Sequence, residues 1–267
     1  MKNKLIGINI IPKLLGFLML CYFVTSCDNP AEERDIYQIK IYSIENEQQE
    51  SRIDNYLKDA FMPALHRAGI SKIGVFKPVE EDDRAGNFIY VLIPFESVNQ
   101  FEKLGAEINL DEEYLEDGRD YIDAAHDNPA YKRIESILLR SFITFPKYGT
   151  PNHSTPPSER IYELRSYHAS TEKLYEKKVE MFNDGKETEL FVELEFQPIF
   201  FGEVISGSSM PNLMYLTTFE NRDSQKKHWE TFVNSPEWTV LKGDPQYKNT
   251  VSKIDKVNLH PAIYSEL

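Results

Sequence analysis

Arg160–His168 reads R-I-Y-E-L-R-S-Y-H, and its alternation of apolar and polar letters decides the fold. Side chains switch faces at every residue of a strand, so this stretch is a strand with two different faces. A near-copy, D-I-Y-Q-I-K-I-Y-S, occupies Asp35–Ser43. Each copy opens a similar series of elements, so the chain reads as one module written twice. Tyr37 answers Tyr162 and Tyr90 answers Tyr215, both at a spacing of 125 residues. N-F-I-Y from Asn87 matches N-L-M-Y from Asn212, and N-P-A-Y-K from Asn128 matches D-P-Q-Y-K from Asp244.

Working outward, the first series predicts a strand over Ile36–Tyr42 and a helix over Arg52–Ala68. Pro63 should kink or restart that helix, and Gly69 suits its C-terminal cap. Strands over Ile70–Lys77 and Asn87–Phe95 follow, then a helix from Val98, an acidic partly helical stretch through Tyr114–Ile122, and a strand within Tyr131–Phe142. Three prolines, a glycine and small polar residues make Lys147–Ser158 the clearest linker. The series then restarts, with strands over Ile161–Tyr167, Ile199–Ser206, Asn212–Phe219 and within Tyr247–Leu259. Helices are expected over Lys173–Asn183, Leu190–Phe196, Asp223–Val233 and Pro236–Leu241. Each half therefore reads β-α-β-β-α-β, the ferredoxin-like order. Two helices cover one face of such a sheet and leave the other needing a partner. The expected fold is α+β, with two tandem ferredoxin-like repeats packing sheet to sheet as a barrel within one chain.

The N-terminus is of another kind. Lys2 and Lys4 precede an apolar run over Leu14–Val24, and V-T-S-C follows at Val24–Cys27. This is the layout of a secretory signal peptide. The small residues before Cys27 resemble the lipobox of bacterial lipoproteins, which implies lipidation at Cys27. The expected division is a signal peptide over 1–26, a tether over 27–34, a first repeat over 35–148, a linker over 149–158 and a second repeat over 159–267. Cleavage would remove Lys2, Lys4 and Lys13 and take the formal net charge from −13 to −16. Such acidity argues against nucleic acid as a partner. Cys21 leaves with the peptide and Cys27 carries lipid, so no cysteine nucleophile or disulfide is expected.

I-Y-E-L-R-S-Y-H at Ile161–His168 resembles the opening strand of NIPSNAP domains. Phe61–Phe76 resembles the helix-to-strand passage of that family, and His228–Trp238 its second helix. The resemblance runs from Asp35 to about His260 and implies the dimeric α+β barrel fold. The family has no agreed enzymatic activity, and its eukaryotic members are mitochondrial and linked to protein interaction and vesicle traffic.

The alternation also assigns faces. Tyr162, Leu164 and Ser166 are expected under the helices, with Glu163, Arg165 and Tyr167 toward the other sheet. Gln38, Lys40 and Tyr42 take the same place in the first half, with Tyr90, Tyr215 and Thr217 on the corresponding faces. Charges there are costly unless paired or wet. They read either as a polar cavity for a small anionic or aromatic ligand, or as a Glu163–Arg165–Lys40 network pinning the halves in register. His168 ends its strand, reads as a surface residue or one at the barrel mouth, and is a candidate base. With Tyr167 and Arg165 it forms the candidate catalytic set. No metal-ligand spacing, P-loop, G-x-G-x-x-G or G-x-S-x-G occurs, and no cofactor is expected. The leading function is a lipid-anchored, extracytoplasmic module of the bacterial envelope binding a small molecule or a protein. The alternatives are a cofactor-free barrel enzyme of monooxygenase or isomerase type, and a structural lipoprotein.

Overall fold

The computed structural model describes Arg34–Leu267; the signal peptide, Cys27 and the rest of the expected tether lie outside the described residues. The first half runs β1 (Ile36–Ser43), α1 (Glu47–Asn55), a π-helical turn (Tyr56–Phe61), α2 (Met62–Arg67), β2 (Gly74–Pro78), β3 (Phe88–Phe95), α3 (Val98–Ile108), α4 (Glu112–Asp117), α5 (Arg119–Ile122) and β4 (Arg133–Ser141). The second runs β5 (Ile161–His168), α6 (Glu172–Asn183), α7 (Glu187–Glu193), β6 (Gln197–Ser206), β7 (Asn212–Phe219), α8 (Arg222–Asn234), α9 (Pro236–Gly243) and β8 (Lys253–Pro261). No helix among the described residues is long and apolar enough to cross a membrane.

Local chemistry sets the element ends. Asn46, Ser97, Thr171, Asn221 and Ser235 each accept a backbone N–H three residues on, filling a donor that the first helical turn leaves open. After α2, Gly69 takes a φ of 80° and the Ile70 N–H reaches back to the Leu65 carbonyl at 2.8 Å. That is the left-handed stop a glycine makes cheaply. Pro63 does not break its helix. The Met62 N–H bonds to the Leu57 carbonyl, five residues back, so one wide turn precedes the proline and absorbs its misfit.

All eight strands pair antiparallel in a closed barrel of order β1-β3-β2-β8-β5-β7-β6-β4. Each half contributes four neighbours in ferredoxin-like order, and the halves join by their edges. Lys77 pairs with His260 across β2–β8, and Arg140 with Glu203 across β6–β4. Closure leaves no open sheet edge, which a pair of merely stacked sheets would keep.

Three cores result. One lies between the first sheet and α1–α5 and includes Tyr42, Phe61 and Val91. Another lies between the second sheet and α6–α9 and includes Phe182, Phe191, Tyr215 and Phe232. The barrel interior holds Tyr37, Ile39, Phe76, Tyr90, Tyr162, Leu164, Phe200 and Leu216.

This arrangement reverses the expected faces of the two opening strands. Tyr162 and Leu164 point into the barrel, with Tyr37 and Ile39 opposite. Gln38, Lys40, Tyr42, Glu163, Arg165 and Tyr167 lie on the outer face. Tyr215 and Thr217 share it, since Arg165 pairs with Tyr215 and Glu163 with Thr217 in register. Of the expected cavity residues, Tyr90 alone points inward.

Candidate functional site

The C-terminal ends of β1 and β5 meet at one mouth of the barrel, where side chains leave a cavity of about 300 Å³. Its walls are Ile137, Leu164, Val204, Met214 and Val257, with Tyr90 and Ile41 beside them. Its polar lining is Ser166, His168, Ser208, Ser209, Asn212, Asp255 and Lys256 from the second half, and Arg84 and Glu135 from the first.

The polar groups form a chain. The Asn212 Nδ2 donates to Ser166 Oγ at 2.7 Å. Ser166 Oγ lies 3.3 Å from His168 Nε2, and that nitrogen lies 3.2 Å from Asp255 Oδ2. Asn212 is only 3% exposed, and its Oδ1 has no hydrogen-bond partner. A buried amide oxygen left unpaired costs about 1–3 kcal/mol, so a donor arriving in the cavity has a ready acceptor. Asp255 also accepts from Lys253 Nζ at 2.8 Å, and this contact holds its carboxyl below the usual carboxylate range. Arg84 is committed elsewhere. It grips Asp82 through two N–H bonds of 2.7 and 2.8 Å and donates to the Lys256 carbonyl. Burial raises the Tyr90 hydroxyl above the ordinary tyrosine range. Ser208, on the β6–β7 loop, donates to Glu135 and ties that loop to β4 across the mouth. No group of three His, Cys, Asp or Glu side chains among the described residues is placed to hold a metal.

The mouth is asymmetric although the chain is duplicated. In the first half Ile41 pairs with Tyr90 on one side and Glu135 on the other. In the second half Ser166 pairs with Met214 and Asp255. Two residues further along, Ser43 faces Phe88 where His168 faces Asn212. The carboxylate is kept in both halves, while Ser166, His168 and Asn212 replace Ile41, Ser43 and Phe88.

His168 is the one catalytic candidate that the structure brings to the cavity. Arg165 and Tyr167 lie outside the barrel beneath α8 and α6. There Glu163 Oε1 accepts from Arg165 Nε at 2.7 Å, and Oε2 accepts from Gln225 Nε2 and Trp229 Nε1 at 2.6 Å each. The Arg165 guanidinium stacks 3.7 Å from the Trp229 ring centre and donates to Tyr167, whose hydroxyl lies 2.9 Å from that of Tyr215. Lys40 does not join this network, being in the first half over the rings of Phe61 and Tyr42. Gln38 donates to Ser136 on β4. The network therefore ties the second sheet to its own helices and not one half to the other. Sequence reasoning missed Ser166 as a lining residue, and with it Asn212, Asp255, Glu135 and Arg84. The available signal was polar residues on a face that is apolar in the other repeat.

Comparison with known proteins bears on the fold and the family. Two bacterial proteins, each described as a "putative monooxygenase", share the architecture over nearly their whole length. The one from Lactobacillus acidophilus NCFM is 14% identical, with 86% of this chain and 94% of that chain covered at a TM-score of 0.56. The one from Fusobacterium nucleatum subsp. nucleatum ATCC 25586 is 9% identical, with 85% and 92% covered at a TM-score of 0.57. A NIPSNAP family protein from Agrobacterium tumefaciens str. C58 is 14% identical and matches 45% of this chain with 98% of its own, at a TM-score of 0.36. The search among curated proteins gave no match. The family model described as NIPSNAP matches residues 162–266, the second of the two repeats. Over residues 162–266 this chain is similar to NIPSNAP domains.

Proposed function

We propose that the chain is a small-molecule binding module whose site is the cavity at the barrel mouth. The observation that carries this reading is the unpaired Asn212 Oδ1, which, of the five buried side-chain polar atoms without a partner among the described residues, is the one that belongs to a residue lining this cavity. Buried polar groups are ordinarily paired, and an unpaired acceptor that faces empty space is one a ligand can satisfy. Small-molecule sites are largely apolar concavities with a few converging polar groups, and this mouth has that composition. The asymmetry of the mouth supports it too, since polar groups on one side give a ligand one orientation. The lipobox-like V-T-S-C at Val24–Cys27 supports attachment of this module, by lipid, to the outer side of a bacterial membrane. Native mass spectrometry of the purified protein tests the binding reading. A mass above that of the chain, lost in an Asn212→Leu variant, is the expected result. A bare mass from every gentle preparation counts against it.

One observation favours an enzyme of the cofactor-free barrel type as the second reading. His168 Nε2 meets Asp255 Oδ2 at 3.2 Å, a contact that places the ring hydrogen on Nε2 and leaves Nδ1 as the nitrogen able to accept a proton from a bound ligand. Turnover of a retained ligand that stops in His168→Gln while binding persists separates this reading from simple binding.

A further inference from the structure

We infer that the ligand of the mouth is a small amphipathic amine, bound as its ammonium ion with its apolar body against the barrel wall; this rests on the binding reading above. The argument is a count of hydrogen-bonding capacity. The cavity offers acceptors that nothing in the chain uses. Asn212 Oδ1 is buried and unpartnered. Glu135 keeps one oxygen after accepting from Ser208, and Asp255 keeps one, because Lys253 and His168 both meet its Oδ2. An ammonium group carries three donors and no acceptor, the complement of such a set.

Two permanent cations line the mouth, Arg84 and Lys256, and Lys256 pairs in register with Arg165 on the outer face of the sheet, so it is the Lys256 backbone that borders the cavity. Arg84 is neutralised by Asp82 and turned toward a backbone carbonyl. Lys253 keeps Asp255 ionised through its contact with Oδ2, and the other oxygen, Oδ1, is left as an acceptor. An anionic ligand would meet two carboxylates and a guanidinium whose charge Asp82 already offsets. Of the small anionic or aromatic ligand that the sequence suggests, this keeps the aromatic alternative.

The duplication supports the same conclusion. Glu135 and Asp255 occupy equivalent inward positions on β4 and β8, and the acid persists in both copies while their neighbours diverge. Ile137, Leu164, Val204, Met214 and Val257 exclude a fully hydrated ion and suit a ring or short alkyl body. About 300 Å³ sits at the small end of ligand sites, which fits one ring with a short chain. The acidic chain, at a formal −13, also concentrates organic cations near its surface.

The test uses the full chain with 13C-methyl methionine, because Met214 lies on the cavity wall. The probes are 2-phenylethylamine, 2-phenylethanol and phenylacetate, which share a ring and differ in charge. The amine should move the Met214 resonance with a dissociation constant at least tenfold below those of the other two. The double variant Glu135→Gln, Asp255→Asn should weaken the amine at least tenfold and leave the alcohol unchanged. Tighter binding of the alcohol or the acid overturns the amine and leaves the mouth as a binding site. If none of the three moves Met214, the inference and the binding reading beneath it both fall.

Discussion

Replacing Arg165 by methionine should destabilise the protein far more than an ordinary surface substitution. Glu163 is 2% exposed, and its carboxylate accepts from Arg165, Gln225 and Trp229. Methionine keeps much of the apolar stem over Trp229 and removes the charge. Breaking a buried pair costs about 3–5 kcal/mol, because the remaining charge is left without compensation. Gln225 and Trp229 still hold Glu163, so the lower end of that range, about 3 kcal/mol, is expected. At about 2–4 °C per kcal/mol for a domain of this size, the melting temperature should fall by roughly 6–12 °C. The assay is a double-mutant cycle by denaturant unfolding, with Glu163→Gln as the second change. Removing both charges should recover most of the loss, leaving a coupling energy well above the few tenths of a kcal/mol typical of independent sites. A cost below about 1 kcal/mol for Arg165→Met, or additive changes in the cycle, would refute the claim that this pair is a buried structural network.

Lys40 gives a prediction of opposite sign. Burial pushes its amine down to about 8, and it forms no ion pair among the described residues. The penalty for burying its charge is fully present below pH 8 and fades as pH rises toward the ordinary lysine value. Lys40→Met should therefore stabilise the chain by about 1–3 kcal/mol at pH 7, with the gain shrinking between pH 8 and 10.5; a gain that does not change over that window argues against a buried charge. Asp35–Tyr148 expressed alone should aggregate or dimerise, since it opens the β2 and β4 edges and bares the barrel interior; a stable monomeric half by light scattering contradicts the closed-barrel account. Cys27→Ala should abolish lipid attachment, read from the mass of the mature N-terminus; an unmodified N-terminus elsewhere in the parent chain removes the lipoprotein proposal.

The element order and the repeat were legible because they rest on periodicities that the backbone imposes. The faces were harder, for two separate reasons. Tyr90 and Tyr215 match at a spacing of 125 residues, as Tyr37 and Tyr162 do, yet the ladders align differently. Ile39 pairs with Leu92 and Leu164 with Leu216, so the third strands correspond at a spacing of 124. A slip of one residue sends a side chain to the opposite face, and so Tyr90 is inside and Tyr215 outside. The other reason is chemical. A strand carrying Glu163 and Arg165 suggests a wet interior, because buried charges need partners. The partners come from α8, in Gln225 and Trp229, and nothing in the alternation of β5 announces them.

The two faces of β5 thus do different work, and the repeat shows how they came to differ. On the outer face Gln38, Lys40 and Tyr42 occupy the positions of Glu163, Arg165 and Tyr167. The first half has an amide where the second has a carboxylate, so its cation rests on aromatic rings instead. The carboxylate of Glu163 gathers donors from β5 and α8, and Gln225 extends the link to Asn258 on β8. That fixes the strand in register from behind. On the inner face of the same strand sit Ser166 and His168, whose geometry depends on that register. A binding site needs its polar groups held still by a supporting shell. The half with the outer charge network is also the half with Ser166, His168 and Asn212 at the mouth, where the other half has Ile41, Ser43 and Phe88. The proposed recognition on one face of β5 and the charge network on the other are therefore alternate residues of one nine-residue stretch, Arg160–His168.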